Sequence, residues 1–133
     1  MNRIAITLFS ALLIAPVNAF AESMMTDAPA NAELYFVQPS DGATVEGTFK
    51  VVFGLRNMGV APAGVEKAST GHHHLLIGTE VPSDLIKHFG GGQTETEITL
   101  QPGEHTLQLL LGNYAHVPHS QPVVSEQITI TVE

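Results

Sequence analysis

From Glu33 onward, the chain is made of short apolar runs that alternate with polar residues and are separated by turn residues. In TFKVVFGL, every second residue is apolar at Phe49, Val51 and Phe53, which is the periodicity of a strand with one buried face. Similar runs predict strands at residues 33–38, 48–55, 72–77, 94–100, 104–111 and 124–132, with a further brief extended piece at 40–47. The segment PSDLIKHF, residues 82–89, is predicted to hold one helical turn with Ser83 or Asp84 as its cap.

No segment of useful length after residue 32 repeats with the period of a helix. About seven short strands with turns between them predict an all-β fold, an immunoglobulin-like antiparallel β-sandwich. In that arrangement strand 72–77 pairs with strand 104–111, which places His72 near Asn113. The loop NYAHVPHSQP then lies at the same end of the sandwich.

The N-terminal residues have the layout of a secretory signal peptide. A single positive charge at Arg3 precedes an apolar run from Ile4 to Ala15, and Ala19-Phe20-Ala21 is a small-x-small cleavage pattern. The apolar run is short for a membrane span; the alternative is an uncleaved N-terminal anchor. We therefore expect a signal peptide at 1–21, a flexible leader at 22–32 and one domain at 33–133, located in the periplasm or secreted, with no membrane insertion of the mature form.

Charge and composition narrow the classes of partner. The chain has 13 acidic and 5 basic residues, and removal of Arg3 with the signal peptide leaves 4 minus 13, a net charge of −9. This negative charge argues against nucleic acids and anionic membranes as binding partners, and it favours cationic partners, including metal ions. The absence of cysteine excludes thiolate zinc sites, thiol redox chemistry and cysteine nucleophiles.

The stretch TGHHHLLIG, residues 70–78, carries three of the seven histidines. Side chains alternate along a strand, so His72 and His74 share one face at a spacing of roughly 7 Å, and His73 lies on the other. The topology brings further ligand-type side chains to the same end of the sandwich, whereas His105 falls at the opposite end. The resulting metal-site prediction comprises His72, His74, His88, His116, His119 and Met58.

Imidazole binds copper, zinc and nickel, and a nearby thioether favours copper, so copper is predicted before zinc. The alternative for the histidines is structural: a strand-end or loop histidine often does no more than bond to a backbone carbonyl. A pH-sensing or partner-binding surface is a third interpretation.

The predicted function is metal storage, delivery or sensing by a periplasmic protein. The alternative is a module without metal that docks through its loops on an envelope protein or polymer. An enzyme is not expected, because no serine has a nucleophile-elbow context and the Glu95 and Glu97 pair resembles a solvated strand face. A third possibility, an enzyme whose metal keeps an open position for water, ranks below both the metal-binding function and the docking module.

Three motifs, G-H-H-H-L-L, G-Q-T-E and G-E-H-T-L, lie within Glu33 to Val132. Together they resemble the DUF4399 family of exported bacterial domains of unknown function. The resemblance implies a small secreted or periplasmic all-β domain, and it supplies no function. The family pattern also implies Asp soon after the H-x-H strand and near Asn113, where this chain has Gly78 and Asn113.

Overall fold

A computed structural model describes residues 24–78 and 86–133 of the chain. The predicted signal peptide at 1–21 lies outside the described residues. Within them, all regular secondary structure is extended. The described residues form nine strands: β1 (Glu33–Gln38), β2 (Thr44–Val45), β3 (Thr48–Arg56), β4 (Gly59–Val60), β5 (Thr70–Ile77), β6 (Ile86–His88), β7 (Glu95–Thr99), β8 (Gly103–Gly112) and β9 (Ile128–Val132). No helix in the described ranges is long and apolar enough to cross a membrane.

The strands form two sheets. One has the order β1-β3-β7, and the other has the order β2-β9-β8-β5-β4, with β6 also paired to β5. The long pairings are antiparallel, including that of β5 with β8. The predicted immunoglobulin-like sandwich is therefore confirmed. Two short pairings, β2 with β9 and β4 with β5, are parallel and add edge strands to the predicted pattern.

The core lies between the sheets and is built from alternate residues of each strand. From the three-stranded sheet come Phe49, Val51 and Phe53, all buried. The facing strands contribute the sets Leu107, Leu109, Leu111 and Ile128, Ile130, Val132. These are the faces that the alternation of apolar residues predicts, because a strand can bury only every second side chain on one side.

The predicted helical turn at 82–89 is wrong over the part that the structure describes. Residues 86–88 form strand β6, which pairs antiparallel with β5 through His74↔His88, Leu75↔Lys87 and Leu76↔Ile86. Residues 82–85, including the proposed caps, lie outside the described residues. The hydrogen bonds offered by the free edge of β5 favour an extended backbone here, and a local propensity argument cannot detect them.

Residues 24–32, which their composition predicts to be a flexible leader, lie against the sandwich. Ala28 and Ala32 pack on the hydrophobic core. The backbone carbonyl of Asn31 accepts a hydrogen bond from Asn57 Nδ2 at 2.9 Å.

Candidate metal centre

Strand β5 is covered on both faces, as the apolar residues on each of its sides predict. Its inner face carries His73, Leu75 and Ile77 toward the core, and its outer face carries His72 and His74. The side chains of His72 and His73 are 0% exposed, and His74 is 9% exposed. The outer pair is therefore buried under other parts of the chain.

Two elements that follow β5 in the sequence cover its outer face. Strand β6 places His88 directly beside His74 in the register. Strand β8 ends at Gly112, which pairs with His72, and the loop that follows brings His116 over the same face. The rings of His88 and His116 lie 4.5 Å apart between centroids.

Ring nitrogens of three histidines converge on one another. One nitrogen each from His72, His88 and His116 lies within 4.8 Å of the other two. The distance is 3.1 Å from His88 Nε2 to His72 Nε2, and 2.8 Å from His88 Nε2 to His116 Nε2. Tetrahedral ligands at the usual zinc–nitrogen distance of about 2.05 Å stand roughly 3.3 Å apart, so both of these distances are within about half an ångström of the spacing of two ligands that share one ion.

Hydrogen bonding alone does not account for this convergence. A neutral imidazole nitrogen either donates one N–H or accepts through one lone pair. His88 Nε2 contacts two other Nε2 atoms, and it can satisfy one of them in this way. A cation placed among the three nitrogens could be bound by all three lone pairs at once.

His74 belongs to the imidazole cluster without joining the three converging nitrogens. Its ring centroid is 4.8 Å from that of His72, 5.0 Å from that of His88 and 6.3 Å from that of His116. Its Nδ1 is buried and has no hydrogen-bond partner. A Cβ on Gly112 would lie 2.6 Å from His74 Cε1, so glycine at this position makes room for the ring.

Glycine also makes room for His88. A Cβ on Gly90 would lie 2.3 Å from His88 Cε1 and 2.9 Å from its Nε2. Any larger residue at position 90 would therefore push the ring away from the other two. The glycine run GGG suggests close approach of a ligand or another chain; the structure shows that the approaching group at Gly90 is the His88 ring.

Burial and mutual proximity keep the strand histidines neutral. Burial, followed by the neighbouring His74, His88 and His116, lowers the pKa of His72 to about 4. Burial, followed by His88 and His116, also lowers the pKa of His74. Removing an imidazole from water disfavours its charged form, and a second positive charge nearby disfavours it further. Lone pairs suited to a metal ion are thus available on the strand at neutral pH.

The other residues of the sequence prediction lie in different surroundings. His119 is buried, and its Nε2 lies 3.3 Å from the backbone carbonyl of Thr70, the kind of contact that the structural interpretation predicts. The Met58 side chain packs against the hydrophobic core. Metal binding by either residue stays a prediction. His105 Nε2 donates to the Gln101 carbonyl at 2.7 Å, in the turn that precedes β8.

His73 faces the core, as strand alternation predicts. Its ring lies 4.9 Å from that of Phe53, and neither of its nitrogens has a hydrogen-bond partner among the described residues. Burial, followed by the neighbouring His74, lowers its pKa to about 4. It therefore sits as a neutral imidazole among apolar side chains.

The comparisons with known proteins agree with this fold. The structure is similar to part of the endo-β-1,4-mannanase from Thermotoga petrophila, with a TM-score of 0.50 and 17% sequence identity over 77% of this chain and 20% of that chain. The chain thus spans about a fifth of the length of the mannanase, and at this identity the likeness shows the fold alone.

A second solved structure, the fibronectin(III)-like modules of Clostridium thermocellum CbhA, has a TM-score of 0.41 and 11% identity over 74% of this chain and 92% of that chain. Among curated proteins, the sequence comparison finds no match. The model of the domain of unknown function DUF4399 matches residues 51–133, more than half of the chain, and the chain therefore belongs to the DUF4399 family.

Proposed function

We propose that this protein binds a transition-metal ion, copper before zinc, through His72, His88 and His116. The observation that carries the proposal is the convergence of three ring nitrogens, with His88 Nε2 in contact with both of the others. Nitrogen ligands of this kind suit copper, zinc and nickel, and copper(II) has the highest affinity in the usual order of divalent metals. A methionine ligand is not required for this preference.

The proposed role is storage, delivery or sensing of the ion outside the cytoplasm. His72 is buried, whereas His88 and His116 are exposed. An ion held this way has one ligand in a rigid strand and two at the surface, where an acceptor could replace them. The signal-peptide layout of residues 1–21 supports an extracytoplasmic location.

Metal titration of single-alanine variants tests the proposal. The untagged protein is prepared without immobilised metal and titrated by calorimetry with Cu(II), Zn(II) and Ni(II), and with Cu(I) under anaerobic conditions. We expect about one equivalent of metal, since the three nitrogens share one position. His72→Ala, His88→Ala and His116→Ala should each weaken binding by more than about 100-fold, since even outer-shell partners of a metal cost 10- to 100-fold.

His105→Ala is the matched control, because it removes a histidine that bonds to a backbone carbonyl outside the cluster. Circular dichroism verifies that each variant is folded. Wild-type affinity no tighter than micromolar for every metal, or equal losses in His105→Ala and the three ligand variants, would refute the metal site. In that case the docking alternative is tested next, with envelope proteins as the candidates.

A further inference from the structure

The segment that precedes β1 is tied to the loop that carries His116, and Asn113 makes the connection. Asn113 is 1% exposed. Its Nδ2 donates to the Met24 carbonyl at 2.8 Å and lies 3.3 Å from Thr26 Oγ1. These contacts join residues 87 and 89 positions apart in the sequence.

The same side chain organises the loop itself. Asn113 Oδ1 accepts hydrogen bonds from the backbone N–H of Ala115 at 2.9 Å and of Val117 at 3.1 Å. The His116 N–H donates to the Asn113 carbonyl at 3.0 Å. His116 has a φ of 62°, a left-handed conformation that few non-glycine residues adopt and that surrounding structure must hold in place.

A second pair of hydrogen bonds ties the far end of this loop to the same N-terminal segment. The Ser120 N–H donates to the Thr26 carbonyl at 3.0 Å, and Ser120 Oγ donates to Asp27 Oδ1 at 2.6 Å. Residues 24–27, which we call the strap, therefore contact the loop at both ends. His116 lies between the two attachment points.

We propose that the strap and Asn113 hold His116 in position for the metal, so that strap docking and metal binding strengthen each other. This inference rests on the proposed function, and Asn113 acts in it as a positioning residue. The physical reason is that His116 belongs to a short loop with a strained backbone, whereas His72 and His88 belong to paired strands. Coupling between two binding events is reciprocal: whatever factor the strap adds to metal affinity, the metal adds to strap docking.

The test compares the wild type with Asp27→Ala/Ser120→Ala and with Asn113→Ala in the full-length exported protein. The probe is Cu(II) or Zn(II) alone, whichever the wild type binds more tightly. Both variants are expected to bind the ion at least about fivefold more weakly, the lower end of typical coupling. The control is Lys50→Ala/Glu95→Ala, which removes an exposed pair at 3.2 Å between β3 and β7 and should leave the affinity unchanged.

Hydrogen exchange at the Ser120 backbone N–H reports strap docking directly, because this N–H donates to the Thr26 carbonyl in the strap. Saturating metal should slow this exchange in the wild type, by about the factor by which strap disruption weakens metal binding. His116→Ala should abolish the slowing. Bound metal slows exchange by global unfolding at every amide, so the Ser120 amide is compared with a core amide, that of Leu109, and it reports the strap only where it exchanges faster than Leu109 without metal. A purely structural role for the strap would leave this faster, local exchange unchanged by metal.

The outcomes separate the two proposals. If the wild type binds metal and the strap variants bind it equally well, the coupling is refuted and the metal site stands. The coupling is also refuted if the Ser120 amide exchanges at the same rate with and without bound metal. If the wild type binds neither ion, the proposed function fails and the coupling fails with it.

Discussion

Replacement of His73 by leucine is expected to stabilise the protein. His73 is 0% exposed and packs against Phe53 on the core side of β5. Both of its ring nitrogens are buried, and within residues 24–78 and 86–133 neither has a hydrogen-bond partner. A buried polar group without a partner costs about 1–3 kcal/mol, and an apolar side chain of similar size avoids that cost. We expect His73→Leu to raise the free energy of unfolding at pH 7 by an amount in this range.

The stabilisation produced by His73→Leu should increase as the pH falls. The pKa of His73 is about 4 in the folded protein and 6.5 in the reference state, so the unfolded chain binds a proton between these values and the folded protein does not. Stability contributed by the neutral ring is complete above pH 6.5 and is lost as the pH falls toward 4. Between pH 7 and pH 5 the loss is about 2 kcal/mol, which His73→Leu should abolish.

Urea denaturation at pH 7 and pH 5, followed by circular dichroism, measures both effects. Each kcal/mol should also shift Tm by about 4 °C in a domain of this size. His105→Leu is the control: its ring bonds to the Gln101 carbonyl, so no gain is expected. Destabilisation of His73→Leu by more than about 1 kcal/mol would refute the reasoning, because it would mean that the imidazole has a favourable partner.

Three further predictions concern the cluster. Gly90→Ala should weaken metal binding at least about tenfold, because the added Cβ displaces the His88 ring. Gly47→Ala is the control, since this glycine has no close side-chain neighbour. Equal metal affinities of the two variants by calorimetry would contradict the prediction. His74→Ala should weaken binding less than His72→Ala, since its nitrogens lie outside the converging set; a larger loss would make His74 a ligand. Metal at 100 times its Kd should raise the free energy of unfolding by about 2.7 kcal/mol, and a chelator should reverse the rise; the same rise in His72→Ala would refute the assigned ligands.

The amino-acid pattern alone predicted the long strands and the buried face of β3, but not the short strands β4 and β6. Alternation of apolar residues is a local property with a period of two, so Phe49, Val51 and Phe53 could be assigned to one buried face without a partner strand. The antiparallel pairing of β5 with β8 followed from the fold class, and it placed His72 near the loop after β8. The sequence motifs also indicated the DUF4399 family, and the match of its model to residues 51–133 confirms that membership.

Which of the predicted site residues bring their ring nitrogens together was decided only by the tertiary structure. His88 joins His72 because β6 pairs with β5, and this pairing holds residues 86–88 extended where a helical turn is predicted. The strap meets its loop across 87 to 94 residues of sequence. Such contacts depend on register, on a glycine beside a ring and on hydrogen bonds between distant segments. A local pattern records none of these, because each is a relation between residues that only the folded chain brings together.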